Sequence, residues 1–262
     1  MTVRRKFIIA ALCATMAIGV NAAHADALQS VKQSGTLRVA VLDAYPPWGF
    51  VGSGMKITGF DVDFAHLIGQ RMGLKVTIVP TTGGNRIPYL QTGKVDLIVA
   101  CLGKNAEREK VVDFTQSYAA EINGIYGPPD VKVSTPAELG GKTVGVPRGS
   151  SEDMVLTKMA PAGTNILRFE DSSGSVQAYY AGQVQLIGIG SSVVATLQQK
   201  KPTRPLVFKL ALAEEPAYVG VAKGEGALLA AVNSVIAGAR SDGSLDTLSK
   251  KWFGVSNSAA SR

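Results

Sequence analysis

Few side chains in this 262-residue sequence have the chemistry to bind or transform a small molecule. The histidines are His24 and His66 and the cysteines Cys13 and Cys101, too sparse for a zinc set, so neither a metal nor a cofactor is expected. A Ser-His-Asp triad would rest on His66, which sits in a helical pattern and reads as structural. Asp61 and Asp63 open that helix, where negative charge meets the positive end of the dipole and nothing completes a ligand set. Arg108 lies in the run Glu107-Arg108-Glu109-Lys110, shortly after Asn105, a residue type suited to an N-cap. From spacing alone such a run is a solvated face. Gly149, Ser150 and Ser151 open another helix, with Asp153 placed as in a capping box, and a turn of this kind caps its helix while its free amides attract an anion. Tyr45 and Trp48 flank two prolines in a stiff loop that either presents rings at a cleft mouth or packs them in a core, with Trp48 expected half-buried. Asn85 and Arg86 begin a helix and face either a cleft or solvent.

The start of the chain reads as an address and not as part of the fold. Arg4, Arg5 and Lys6 precede an apolar run from Phe7 to Val20, and Ala23-His24-Ala25 has the small-x-small form that signal peptidase reads. Residues 1–25 are therefore expected to be removed on export, leaving Asp26 first; the run is shorter than the roughly 20 residues of a membrane span. Whether the general or the twin-arginine route is used stays open, and Leu12 before Cys13 disfavours a lipid anchor. Without the leader, 24 basic residues face 20 acidic ones, so the net charge falls from +7 to +4. The basic residues are scattered, with no aromatic platform between them, and nucleic acid is excluded as a partner. Cys101 then stands alone and no internal disulfide is possible.

The elements that must position these residues follow α/β grammar. Leu37–Leu42, Val76–Val79 and Val95–Ala100 read as strands around a helix over 60–72 closed by Gly73, and the continuous apolar run at 95–100 suits a strand buried on both faces. A second block repeats the pattern with strands at 143–146 and 166–169 and helices from Ser151 and Ser173. Gly93-Lys94-Val95-Asp96-Leu97-Ile98 is echoed by Gly182-Gln183-Val184-Gln185-Leu186-Ile187. Residues 227–240 carry a helical apolar stripe before a last helix ending near Trp252. Ala119–Tyr126 and Ala217–Ala222 are candidate strands crossing between two lobes.

Four stretches now coincide: Tyr45-Pro46-Pro47-Trp48, residues 59–65 (GFDVDFA), Gly93-Lys94-Val95-Asp96, and residues 107–114 (EREKVVDF). With Gly145–Ser150, Asp242-Gly243-Ser244 and Lys251-Trp252-Phe253-Gly254 they make the chain resemble the periplasmic polar-amino-acid-binding proteins of ABC importers, in order and over nearly its whole length. The resemblance implies a two-lobed α/β periplasmic-binding-protein fold of type II with two crossover strands as hinge. Lobe 1 would comprise 26–119 and 218–262, and lobe 2 would comprise 120–217. It implies a monomer in the periplasm, a small-molecule ligand, most naturally an amino acid or related carboxylate, and a membrane ABC permease as partner. It matches Arg108 to the arginine that grips a ligand carboxylate and Tyr45 to an aromatic against the ligand, while the turn at Ser150 and Ser151 is expected to receive the anion through its free amides.

Two departures stand out. After Val99 the family often supplies hydroxyl residues, whereas here Cys101 and Gly103 leave contacts to backbone amides. Where the family usually places an aspartate for the ligand's ammonium, this chain has Gly190, so Glu152, Asp171 and Glu215 become the candidate substitutes if the ligand is an amino acid. A non-enzymatic receptor is the leading reading. The alternatives are a cyclohexadienyl dehydratase-like enzyme on the same scaffold, with Glu152 or Glu215 as its acid, and a detached sensor domain.

Overall fold

A computed structural model describes residues 26–202 and 204–256; the expected leader, 1–25, lies outside them. Helix α1 (Ala27–Ser34) starts on Asp26, whose carboxylate accepts from the Leu28 amide, and stops at Gly35. Strand β1 (Thr36–Leu42) follows, then a small antiparallel sheet of β2 (Ala44–Tyr45), β3 (Gly49–Val51) and β4 (Ile57–Thr58). Helix α2 (Phe60–Met72) carries Asp61 and Asp63 in its first turn and ends at Gly73, as its sequence predicts. Next come β5 (Lys75–Thr81), α3 (Arg86–Gln91), β6 (Leu97–Leu102), the short α4 (Ala106–Glu109) and the long β7 (Val112–Gly127). The second block holds β8 (Thr143–Pro147), α5 (Ser151–Met159), β9 (Asn165–Phe169), α6 (Ser172–Tyr180), β10 (Leu186–Gly190) and α7 (Ser191–Gln198). Strand β11 (Val207–Ala222) and helices α8 (Gly226–Ser241) and α9 (Ser244–Phe253) return to the first block.

The eight longer strands form one sheet in the order β5-β1-β6-β11-β7-β10-β8-β9. Each outer third is parallel and apolar, which is why β6 and β10 carry nearly uninterrupted hydrophobic runs with helices on either side. The repeated hexapeptide has the same structure in both blocks. Gly93 and Gly182 take left-handed conformations, φ 67° and 76°, just past α3 and α6, and the following residues lead into β6 and β10. A side chain at either position would strain that turn.

Strands β7 and β11 are each 16 residues long, well beyond the crossover strands read at 119–126 and 217–222. They pair antiparallel from Val112↔Ala222 to Gly127↔Val207. Strand β6 joins β11 only at Tyr218–Val221, and β10 joins β7 only at Asn123–Tyr126. Between these contacts the sheet narrows to two strands, over the pairs Ala119↔Ala217, Ala120↔Pro216, Glu121↔Glu215 and Ile122↔Glu214. Register shifts at Ala211/Ala213 and Ala217/Tyr218 bracket this ribbon. The fold is two-lobed, with the ribbon as the crossover.

An aromatic cluster closes the first lobe. Phe64 stacks on Tyr118 at 4.6 Å between centroids, and Trp48 lies 4.9 Å from Phe253 on α9. Trp48, expected half-buried, is fully buried because its indole fills the middle of this cluster. Asp63 accepts from Lys251 Nζ at 2.6 Å and from Trp252 Nε1 at 2.8 Å, tying the C-terminal helix to α2.

Candidate functional site

A narrow cavity of ≈ 40 Å³ lies where the two lobes face each other across the ribbon. Its wall includes Tyr45, Cys101, Gly103, Ser150 and Ser151 from the residues singled out in the sequence. Trp48, Asn85, Arg108 and Gly190 are not part of that wall, although Arg108 and Gly190 stand directly behind it.

On the lobe 1 side the chain turns sharply as β6 ends. Cys101 adopts φ 44°, and its amide donates to the Tyr118 hydroxyl at 3.2 Å. Tyr118 in turn donates to Asp61 Oδ1 at 2.7 Å. Asp61 is fully buried, and desolvation pushes its carboxyl up to about 7 against the pull of these donors. Burial also drives the Cys101 thiol well above its ordinary range, so it remains protonated and unreactive. Gly103 is closely covered by side-chain ends: a Cβ would lie 2.4 Å from Glu215 Oε2 and 3.1 Å from Ser151 Oγ, so Glu215 would have to move to admit one.

Two arginines support this turn, and both are buried, Arg86 at 4% exposure and Arg108 at 6%. Asn105 caps α4 as expected, accepting from the Arg108 amide at 2.9 Å, and so aims Arg108 inward from its charged run. Arg108 Nη1 donates to Gly103 O at 2.7 Å and reaches Ser151 Oγ at 3.4 Å, while Nη2 donates to Gly149 O at 3.1 Å. Arg86 lines the cavity and donates to Ala100 O at 2.8 Å, Gly83 O at 3.1 Å and Gly149 O at 3.4 Å. Both guanidiniums therefore reach across to one carbonyl of lobe 2. Burial lowers Arg108 to about 10, with the charge of Arg86 adding to the effect and Glu215 and Glu152 opposing it. Of the pair that the sequence left open between cleft and solvent, Arg86 faces the cavity, whereas Asn85 is half-buried outside its wall and bonds Thr82 at 3.0 Å.

On the lobe 2 side Ser150 caps α5, its hydroxyl accepting from the Asp153 amide at 3.1 Å. The reciprocal bond differs from a capping box, because Asp153 Oδ2 accepts from Gly149 N at 3.0 Å. Arg168 and Thr157 hold the other Asp153 oxygen, so the turn is fixed from behind.

Five carboxylates line the same cavity: Asp43, Glu121, Glu152, Asp171 and Glu215. Glu121 is 4% exposed and had no sequence signal. It accepts from Trp48 Nε1 at 2.8 Å, Ser191 Oγ at 2.9 Å, the amides of Ile122 and Ser192 at 3.0 and 3.3 Å, and the Ser192 hydroxyl. Glu152 is 3% exposed and accepts from the Tyr45 hydroxyl at 3.2 Å across the cleft. Burial pushes its carboxyl above the ordinary range, in spite of its own amide and the Ser150 hydroxyl. Asp171 is half-buried and caps α6 through the Gly174 amide, and Glu215 is half-buried over Gly103. Gly190 explains itself in this setting: a Cβ there would fall 2.2 Å from the Tyr45 hydroxyl and 2.8 Å from Glu121 Cδ.

Residues 37–255 match the family of bacterial extracellular solute-binding proteins, family 3. An L-cystine-binding protein of Escherichia coli strain K12 is 30% identical over 232 residues, covering 87% of this chain and 86% of its own length. The crystal structure of a solute receptor for L-cysteine of Neisseria gonorrhoeae superposes with a TM-score of 0.81 at 28% identity, over 86% of this chain and 92% of that one. An ancestral amino-acid-binding protein, described as a precursor of cyclohexadienyl dehydratase, superposes with a TM-score of 0.78 at 29% identity, over 87% of this chain and the whole of the other.

Proposed function

This chain belongs to the bacterial extracellular solute-binding proteins, family 3, and from that premise we propose that it is an exported receptor that closes around a small carboxylate, most naturally an amino acid, and presents it to an ABC permease. The observation that carries the reading is that both lobes bring residues of donor type to one cavity wall: Arg86, Cys101 and Gly103 from one side, and Ser150 and Ser151 at the start of α5 from the other. A ligand carboxylate held between them trades water for directed, charge-assisted hydrogen bonds as the lobes close. Arg108 acts just behind that wall, holding Gly103 and Gly149 in register.

The lobes divide at 26–119 with 218–262, and at 120–217, a partition supported by the pairing of β6 with the C-terminal end of β11 and of β10 with the C-terminal end of β7. Residues 1–25 direct export to the periplasm, where the protein acts as a monomer. The test is a thermal-shift screen of residues 26–262 against amino acids, their keto acids and betaines. A ligand at 100 times its dissociation constant stabilises by about 2.7 kcal/mol. A flat screen would overturn the amino-acid reading.

One observation favours a second reading. Glu152 combines burial, an elevated pKa and a place in the cavity wall, the attributes of a general acid. A dehydratase would release water and carbon dioxide from prephenate, and prephenate turnover lost in Glu152→Gln would establish it in place of the receptor.

A further inference from the structure

The structure assigns a residue to a task that its sequence leaves vacant. We propose that Glu152 receives the α-ammonium of an amino-acid ligand, in place of the aspartate that the family resemblance leads one to expect at position 190. The inference rests on the amino-acid reading and goes beyond it by naming the atom that selects for an ammonium.

The position in front of Gly190 is already filled. Its missing side chain would run into the Tyr45 hydroxyl and the Glu121 carboxylate, both fixed in buried surroundings, so an acid cannot stand at 190 in this chain. Glu121 occupies much of the space such an acid would use, but its two oxygens already accept five hydrogen bonds. A carboxylate offers about four acceptor sites, which leaves Glu121 none for a ligand. Its work is to hold the Trp48 indole of lobe 1 and the start of α7 in lobe 2 in one place.

The remaining acids differ in surroundings. Glu215 sits over Gly103, at the end of the cavity where Arg108 and Ser151 gather, and is only half-buried. Asp171 is half-buried and spends one oxygen on its helix cap. Asp43 is half-buried as well. None of the five acids of the wall takes part in an ion pair among the described residues, but Glu152 alone is buried in the wall with acceptor capacity to spare, accepting from the Tyr45 hydroxyl, its own amide and the Ser150 hydroxyl and so filling three of about four sites. A buried carboxylate without a cation is costly, and an ammonium delivered by the ligand supplies the missing partner at the moment the lobes close. Tyr45 assists by orienting Oε1 of that carboxylate from the opposite lobe.

The experiment is calorimetry on the wild type, Glu152→Gln and Glu152→Asp. The ligands are L-cystine, L-cysteine, L-glutamine and L-arginine, each paired with its des-amino counterpart: dithiodipropionate, 3-mercaptopropionate, glutaramate and 5-guanidinopentanoate. For whichever amino acid the wild type binds, Glu152→Gln is expected to lower affinity ~100-fold while changing that of the des-amino partner less than threefold. Glu152→Asp should keep the preference for the ammonium-bearing ligand. The ratio of the two affinities is unaffected by a general loss of folded protein. Equal losses for both members of a pair, or no loss for either, would overturn the assignment of Glu152 and leave the receptor reading intact. Failure of the wild type to bind any of the four amino acids would overturn the amino-acid reading, and the role of Glu152 with it.

Discussion

Strands β6 and β10 are entered through echoed hexapeptides, yet their far ends shape the cavity in opposite ways. At β6 the chain itself does the work: a strained Cys101, a bare Gly103 and two arginines within the same lobe that bind the local carbonyls. At β10 the strand stops at Gly190 and contributes space. That space is occupied by Tyr45 from lobe 1 and by Glu121 from the crossover, with Glu152 reaching the same tyrosine from α5. One strand end is furnished by its neighbours in sequence, the other by its neighbours in space.

The sharpest way to break this comparison is to restore the side chain at β10. Gly190→Asp forces a Cβ into the Tyr45 hydroxyl and sets a second carboxylate against Glu121, so overpacking and an unpaired buried charge act together. Stability is expected to fall by about 5 kcal/mol in denaturant titration, with no gain in ligand affinity. A well-folded Gly190→Asp protein with tighter amino-acid binding would show that the position is merely empty.

Next in size is the prop under β6. Folded Asp61 holds its proton to about 7 whereas the unfolded chain releases it near 3.8. Raising the pH between those values favours the unfolded state, and the folded protein loses about 4 kcal/mol across the window. Asp61→Asn should be as stable as the wild type near pH 4 and more stable near pH 7.5, as read by melting temperature at the two pH values. A constant difference would mean that Asp61 titrates normally.

Arg108→Met removes the donor shared by Gly103 and Gly149 and is expected to cost about 3 kcal/mol of stability and to abolish carboxylate binding. Lysine lacks the planar fork and should rescue poorly, so near-normal affinity in Arg108→Lys would remove Arg108 from the site. The smallest effect belongs to Gly103→Ala. Its Cβ meets the far end of the flexible Glu215 side chain, which can swing away, so unfolding should report a loss of only about 1 kcal/mol. The contrast with Gly190→Asp measures how differently the two strand ends are backed.

What the sequence revealed follows the same division. Helix 60–72, the buried strand at the end of the first block and the glycine-led echo were legible because periodicity and turn chemistry are local. Ser150 and Asn105 were legible as caps for the same reason. Arg86 was left undecided between cleft and solvent, and Glu121 gave no sign at all. The partners of Glu121 lie 73 and 70 positions away at Trp48 and Ser191, and the Tyr45 contact of Glu152 spans 107. Trp48 read as half-buried for want of any local sign that its indole N–H would find a buried acid. The blockade at Gly190 depends on the pairing of β10 with β7, in which Gly190 faces Asn123. Strand register is a global property, and it decides which side chains an absent one makes room for.

The narrowest part of the sheet is also part of the cavity. Glu121 and Glu215 face each other in the two-stranded stretch that joins the lobes, and both line the site. Like charges directly opposite on paired strands are destabilising, so this pair weakens the sheet at its narrowest point. The crossover and the cavity wall thus share the same two side chains, and Pro216 beside Glu215 lacks the amide that would stiffen the stretch further.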